Sequence, residues 1–315
     1  MKLPKNITTE DLMAIDYRYT YTNEQLVADF DRLCEITEYK TGSQFRPGLK
    51  ICQHYFPNFW EIRDCRGRSF ADAWNDYDTM DKVRLWGLKG MSNLWLSWIR
   101  RAVYMATGLP NSTMYRPHFA KQIIEMTGKR AGTLFDPCAG WAGRLLGTAA
   151  AGWNYVGCEP CNDTYEGLCS VRALLQRHGV LSSILIHNDP AEVVLPNLRS
   201  RKFDVVLTSP PYFNLEVYDS DEGQSYNKFT SYEQWRDNWL YDVIDRSLSL
   251  LVDDGLSAWN VMNTRKHSLV EDVISFHDQN GWELETTVGF QSPLANIRKL
   301  KNKDVTYVFR KRASS

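Results

Sequence analysis

From about residue 113 onward the chain alternates between short apolar runs and longer segments with a helical period. The runs are Thr133–Asp136, Tyr155–Glu159, Ile184–Asp189, Asp204–Thr208, Leu256–Met262, Leu284–Phe290 and Val305–Arg310, each closed by an acid, a turn former or a loop. Helical spacing marks Arg116–Thr127, Thr164–His178, Tyr232–Leu251 and Leu269–Gly281. Strand–helix alternation of this kind predicts an α/β domain on a mainly parallel sheet. The last two runs have only the loop Gln291–Asp304 between them, too short for a helical crossover, so they should pair antiparallel. Residues 1–112 have another texture, aromatic-rich and broken by turns such as Phe45-Arg46-Pro47-Gly48 and Arg66-Gly67-Arg68. Helical periods recur there at Glu24–Tyr39 and Met80–Thr107, the second carrying Leu85, Leu88, Met91, Trp95, Trp98 and Ala102 at three- and four-residue steps. That stripe reads as core. The expected division is 1–112, a mostly helical region, and 113–315, the α/β domain.

Composition narrows the class. The chain has 315 residues, 43% of them hydrophobic and 24% charged, enough to bury a sizeable core. The formal net charge of −1 supplies no overall field toward nucleic acid or membranes, so any such binding needs a local basic patch. Candidates are Arg63, Arg66 and Arg68, and the run Arg298, Lys299, Lys301 and Lys303. Seven cysteines, at 34, 52, 65, 138, 158, 161 and 169, make no disulfide framework and fit a reducing cytoplasm. No signal peptide and no membrane-length apolar stretch is visible. Cys158-x-x-Cys161 has no second pair, and the six histidines show no metal spacing, so no metal is expected.

Chemistry in a parallel sheet gathers beyond the carboxyl ends of the strands. The first run ends in Asp136-Pro137-Cys138-Ala139-Gly140-Trp141-Ala142-Gly143, whose small residues permit a sharp turn and close approach of a ligand to the backbone. No Gly-Lys-Ser/Thr follows, which excludes a P-loop. Glu159 and Asp189 close the next two runs, 23 and 30 residues further on in turn, and a carboxylate at the second strand end suits ribose hydroxyls. The fourth run delivers Ser209-Pro210-Pro211-Tyr212. Two prolines cannot donate backbone hydrogen bonds and hold the chain extended, presenting carbonyls and the Ser209 hydroxyl outward. An aromatic ring follows directly, so acceptors and a stacking platform suit a planar amine such as a nucleobase.

These motifs resemble the S-adenosylmethionine-dependent amino-methyltransferases of DNA, of the N4-cytosine and N6-adenine type, whose patterns read Asp-Pro-Phe-x-Gly-x-Gly and (Asp/Asn/Ser)-Pro-Pro-(Tyr/Phe). Arg116–Ile124 resembles the helix before the glycine motif in that family, and the likeness runs over roughly residues 113–312. It implies a Rossmann-like methyltransferase sheet, with Asp136, Ala139, Gly140 and Trp141 about the methionine portion or packed on the cofactor. It also implies Glu159 on the ribose, Asp189 on the adenine amino group, and Ser209, Pro210, Pro211 and Tyr212 on the target amine. The Ser-initiated tetrapeptide leans toward cytosine N4. DNA is the implied partner, RNA or a protein glutamine amide the alternative substrate, and a non-catalytic nucleic-acid-binding module the third class. The implied setting is a bacterial or phage-infected cytoplasm, associated with the nucleoid, as in restriction-modification. Three departures from the pattern stand out: Cys138 replaces an aromatic, Ala142 replaces the second glycine, and Trp141 replaces a small residue. No recognition insert follows position 210, which leaves residues 1–112 as the candidate for target recognition or structural cover.

Overall fold

A computed structural model describes residues 2–4, 6–39, 45–64, 66–87, 89, 94–109, 113–213, 225, 228–289 and 305–313. Seven strands form the main sheet: β1 (Thr133–Asp136), β2 (Asn154–Cys158), β3 (Ile184–His187), β4 (Phe203–Thr208), β5 (Leu251–Val261), β6 (Trp282–Gly289) and β7 (Val305–Lys311). Their spatial order is β3-β2-β1-β4-β5-β7-β6. Strands β3 through β5 run parallel, and β7 lies antiparallel to both neighbours. This is an open Rossmann-like α/β sheet, as the alternation predicts. The last two strands form the expected antiparallel pair at the end of the sheet, with β7 between β5 and β6.

The sequence explains the central strands. Leu134, Phe135, Val205, Val206 and Leu207 are buried because helices cover both faces of a parallel sheet, so the strands are apolar on both sides. The covering helices include α1 (Asn23–Cys34), α2 (Leu49–Tyr55), α3 (Pro117–Glu125), α4 (Gly143–Ala150), α5 (Asn162–Arg177), α6 (Tyr241–Ser249) and α7 (Leu269–Gln279). The segment expected as one helix over Tyr232–Leu251 is a helical turn at Tyr232–Trp235, a π-turn at Arg236–Leu240 and then α6, with β5 already beginning at Leu251.

The chain divides into two compact units. The larger holds Tyr21–Phe56 together with Met114–Asn214 and Ser220–Ser315. The break between Thr113 and Met114 falls beside the boundary read from the sequence, but Tyr21–Phe56 belongs with the sheet. Leu26, Phe30 and Leu33 of α1 and Ile51 and Phe56 share a core with Phe119, Ile123 and Leu145. Polar contacts fix the same segment. Lys121 Nζ, on α3, donates to the carbonyls of Cys34 and Ile36 just past α1, satisfying carbonyls that a helix end leaves unpaired. Buried Asp29 accepts the Lys50 N–H at 2.9 Å and so caps α2.

The smaller unit comprises Met1–Thr20 and Pro57–Thr113. Its core joins Leu12, Trp60, Phe70, Trp74, Met80 and Ile99. Arg100 is buried there, its guanidinium donating to the Tyr17 and Arg18 carbonyls and lying 3.8 Å from the Tyr19 ring centroid. Two expectations change. Met80–Thr107 is not one helix. It runs as a helix at Tyr77–Lys82, a π-turn at Val83–Gly87, a short strand at Leu94–Trp95 paired with Lys2–Leu3, and a helix at Leu96–Thr107. The π-turn ends at Gly87, glycine being a poor helix former. The stripe is consequently not core: Leu85, Trp95 and Trp98 are 49%, 45% and 44% exposed, while Ala102 is buried. Leu88 and Met91 lie outside the described residues. The arginine turn is also internally committed. Buried Asp64 pairs with Arg66 and Arg68, and Arg63 pairs with Asp72. Those three guanidiniums organise the turn before they meet any ligand.

Candidate active site at the carboxyl edge of the sheet

The residues singled out from the sequence follow successive parallel strands. Asp136 ends β1, Glu159 follows β2, Asn188 and Asp189 follow β3, and Ser209 follows β4. In the order of the sheet they lie as Asp189, Glu159, Asp136 and Ser209. Neighbouring strands are about 4.8 Å apart, so the row spans about 15 Å.

Asp136 is fully buried and its carboxylate is used within the protein. Oδ2 accepts Arg144 Nε at 2.7 Å and the Tyr155 hydroxyl at 2.9 Å, and Oδ1 accepts the Cys138 N–H at 3.3 Å. Burial, then the adjacent carboxylate, keeps the Tyr155 phenol protonated. Arg144 also donates to the carbonyls of Cys138 and Ala139, which ties the start and the middle of the turn to one guanidinium. All of these partners of Asp136 belong to the protein itself. Arg144 was missed from the sequence, although an arginine eight residues after a strand-end acid, at the start of a helix, was the available signal.

The turn itself explains the shift of the second glycine. Gly140 and Ala142 both adopt left-handed backbone, at φ 54° and 61°. Ala142 tolerates this at the N-cap of α4, at a cost of about 1–2 kcal/mol for an L-residue. Glycine is needed instead at 143 and 147. A Cβ at Gly143 would sit 2.2 Å from the Tyr115 carbonyl oxygen and one at Gly147 2.2 Å from that of Pro117, so the start of α3 and Tyr115, two residues before it, lie directly on the backbone of α4. At Gly140 an added Cβ would meet nothing nearer than 3.8 Å. That side of the turn is open. Ala139 is buried, with its N–H bonded to the Cys158 carbonyl, and the partly buried Trp141 packs against the main core.

Glu159 ties the turn to the second strand. Oε2 accepts the Gly140 N–H at 2.9 Å and Oε1 the Cys161 N–H at 3.0 Å. Burial raises its pKa to about 7, against the lowering effect of those two N–H bonds. Cys158 and Cys161 are buried, and Cys161 is the N-cap residue of α5. Among the described residues no group of three or more His, Cys, Asp or Glu is placed to hold a metal ion. Asp189 is exposed. His187, opposite Cys158 in the ladder, was not foreseen: its Nε2 is buried without a hydrogen-bond partner among the described residues, and burial lowers its pKa.

On β4, Thr208 Oγ1 accepts the Cys138 N–H at 3.1 Å, joining the glycine turn to the Ser-Pro-Pro-Tyr segment. Ser209, Pro211 and Tyr212 are half-buried and Pro210 is buried. Phe213 follows at φ 53°, left-handed backbone that is costly for a bulky residue. Its buried ring sits among Tyr232, Trp235 and His267, with centroids 6.2, 6.0 and 6.2 Å away. Tyr232 stacks on His267 at 4.1 Å and donates its hydroxyl to Asp272 at 2.6 Å. The ring cage holds the segment after Tyr212 in place. The basic run at 298–303 lies outside the described residues, and among these no helix is long and apolar enough to cross a membrane.

No known family profile matches the chain, and no curated protein matches it. Solved structures resemble it in part. A ribosomal protein L11 methylase from Lactobacillus delbrueckii subsp. bulgaricus is 13% identical, with a TM-score of 0.40 over 66% of this chain and 83% of that one. An rRNA methylase from Streptococcus thermophilus is 14% identical, with a TM-score of 0.41 over 64% of this chain and all of the other. NSun6 from Pyrococcus horikoshii, solved with SFG, is 16% identical, with a TM-score of 0.45 over 63% of this chain and 52% of that one.

Proposed function

We propose that this protein transfers a methyl group from S-adenosylmethionine to an exocyclic amino group of a nucleic-acid base, DNA being the favoured substrate and cytosine N4 the favoured position. The observation that carries the reading is the row of groups across adjacent strand ends: Asp189, Glu159, the open glycine turn and Ser209, in that spatial order. The residues fit the cofactor. Glu159 holds an acceptor carboxylate at the second strand end, Asp189 an exposed carboxylate at the third, and Gly140 leaves space beside the turn. Glu159 would take the ribose, Asp189 the adenine amino group, and the backbone of Ala139 and Gly140 with Trp141 the methionine side, in a turn shaped by Asp136 and Arg144. When bound, the cofactor supplies an electrophilic methyl group.

The chain's own contribution is position and charge. An exocyclic base amine is a poor nucleophile because its lone pair is delocalised into the ring. Ser209 Oγ and the Pro210 carbonyl accept its hydrogens and favour a pyramidal nitrogen, which strengthens these bonds as the reaction proceeds. Pro211 keeps the acceptors extended, and Tyr212 offers its face to an unstacked base. The smaller unit is the candidate for target recognition, and Tyr21–Phe56 acts as cover for the sheet.

Incubation of the protein with tritiated S-adenosylmethionine and DNA, RNA or protein, followed by nucleoside analysis, tests the reading. Label in N4-methylcytosine or N6-methyladenine is expected. Label confined to protein amide would replace the substrate class, and none on any polymer would leave a binding module. Ser209→Ala should lower the transfer rate without changing cofactor affinity. Base–aromatic stacking is worth about 1–3 kcal/mol, so Tyr212→Ala should weaken base engagement by roughly ten- to hundredfold while Tyr212→Phe retains it.

A further inference from the structure

We infer that the turn Thr264–His267, which follows β5, is a phosphate-binding site for a polynucleotide backbone. The inference rests on the nucleic-acid reading above and adds a contact which that reading did not assign. Arg265 and Lys266 are both exposed, and neither forms an ion pair among the described residues. In this they differ from Arg63, Arg66 and Arg68, which are held by Asp72 and Asp64. Two adjacent cations with no ion-pair partner among the described residues concentrate positive charge on a chain whose net charge is −1.

The turn presenting them is built, not loose. Thr264 Oγ1 accepts the N–H groups of Lys266 at 3.3 Å and His267 at 3.0 Å, and the Thr264 N–H donates to the His267 carbonyl at 3.1 Å. Asn263 anchors both flanks, accepting the Val270 N–H at 2.8 Å and donating to Glu271 at 2.7 Å. The turn is also tied to the Ser-Pro-Pro-Tyr segment. His267 stacks on Tyr232 and meets the ring of Phe213 edge-on, and Phe213 follows Tyr212 directly. The turn that carries Arg265 and Lys266 is thus joined through His267 and Phe213 to the residue that follows Tyr212, the side on which a base lying on Tyr212 would present its backbone. The contact is to phosphate, so it fixes position and carries no base sequence.

The test is the salt dependence of binding of labelled single-stranded DNA and RNA oligonucleotides to the full chain. Each phosphate contact contributes a slope of about 0.7 in log affinity against log salt for single strands. Arg265→Ala with Lys266→Ala should flatten the slope by about 1.4 on both polymers, with cofactor affinity unchanged. The charge-preserving exchange Arg265→Lys with Lys266→Arg should keep the wild-type slope. An unchanged slope in the double alanine variant overturns the site. So does an equal loss of binding to a polyglutamate peptide, which would make the turn a general acceptor of acidic chains. Absence of methyl transfer by the wild type, with the slope change present, would overturn the proposed function and leave this site standing.

Discussion

Arg144 Nε lies 2.7 Å from Asp136 Oδ2, and both side chains are buried although the glycine-containing turn separates them in the chain. The guanidinium spans that turn, bonding the carboxylate at its start and two carbonyls within it. Removing one partner of a buried pair leaves an uncompensated charge, which costs about 3–5 kcal/mol. Arg144→Met and Asp136→Asn should each lower urea stability by that order. The double variant should lose less than the sum, because the second substitution removes the charge stranded by the first. Additive losses would show that the two side chains act independently.

With Glu159 on the ribose, as proposed, pH should be linked to cofactor binding. Its pKa of about 7 in the free protein is set by burial, and hydroxyl donors bind an ionised carboxylate better than a protonated one. Affinity for S-adenosylmethionine should therefore rise with pH through about 7 and level off above it. Calorimetry from pH 6 to pH 8 checks this, and Glu159→Gln should give a flat, weaker profile. A wild-type profile that falls with pH would remove the carboxylate from the ribose site.

The glycines of α4 make a steric prediction. A methyl group at Gly147 would collide with a main-chain oxygen and not with a movable side chain. Gly147→Ala should then cost more than the gain in helix propensity of about 1 kcal/mol and give a net loss of about 1–3 kcal/mol in chemical denaturation. A stabilised variant would mean that α3 can move away from α4.

His277 governs acid stability in the opposite sense to Glu159. It is fully buried on α7, stacked 3.9 Å from Phe309, bonded to Ser257 Oγ and to the Val273 carbonyl, and burial lowers its pKa to about 4. Its folded value lies below the free value of 6.5, so the unfolded chain binds the extra proton between them. Stability from this group is complete above pH 6.5 and is lost as pH falls toward 4, amounting to about 3 kcal/mol. Glu159, with its value raised from 4.5 to about 7, instead loses stability as pH rises through that interval. Denaturation of His277→Gln beside the wild type at pH 7 and pH 4 isolates the histidine, and the gap between them should shift by that amount.

The sheet was legible because parallel strands are apolar on both faces and end where the acids appear: Asp136, Glu159, Asp189 and Ser209 could be placed on strand ends from spacing alone. Arg144 offered only its place eight residues after Asp136 at the start of a helix, because its partner is set by the curl of the turn and not by any period. The Leu85, Trp95 and Trp98 stripe misled for a related reason. Three- and four-residue spacing implies a common face only if the helix is continuous, and here a π-turn ending at Gly87 and a strand at Leu94–Trp95 come between the helical stretches. The membership of Tyr21–Phe56 in the larger unit depends on Lys121 reaching Cys34 and Ile36 some 85 residues away, a distance at which no local pattern operates.

That long reach has a bearing on how the molecule is made. Helix α1 leaves the ribosome after Met1–Thr20 but before Pro57–Thr113, and the lysine that closes its last turn emerges only after that second stretch of the smaller unit has been synthesised. Until then Leu26, Phe30 and Leu33 have no partner surface from α3 to bury against. A growing chain that folds domain by domain would complete Pro57–Thr113 first and keep the amphipathic α1 waiting for the sheet. The interval in which this apolar face stays open is set by the length of the intervening unit, so translation speed across residues 57–121 governs how long the nascent protein is open to mispairing.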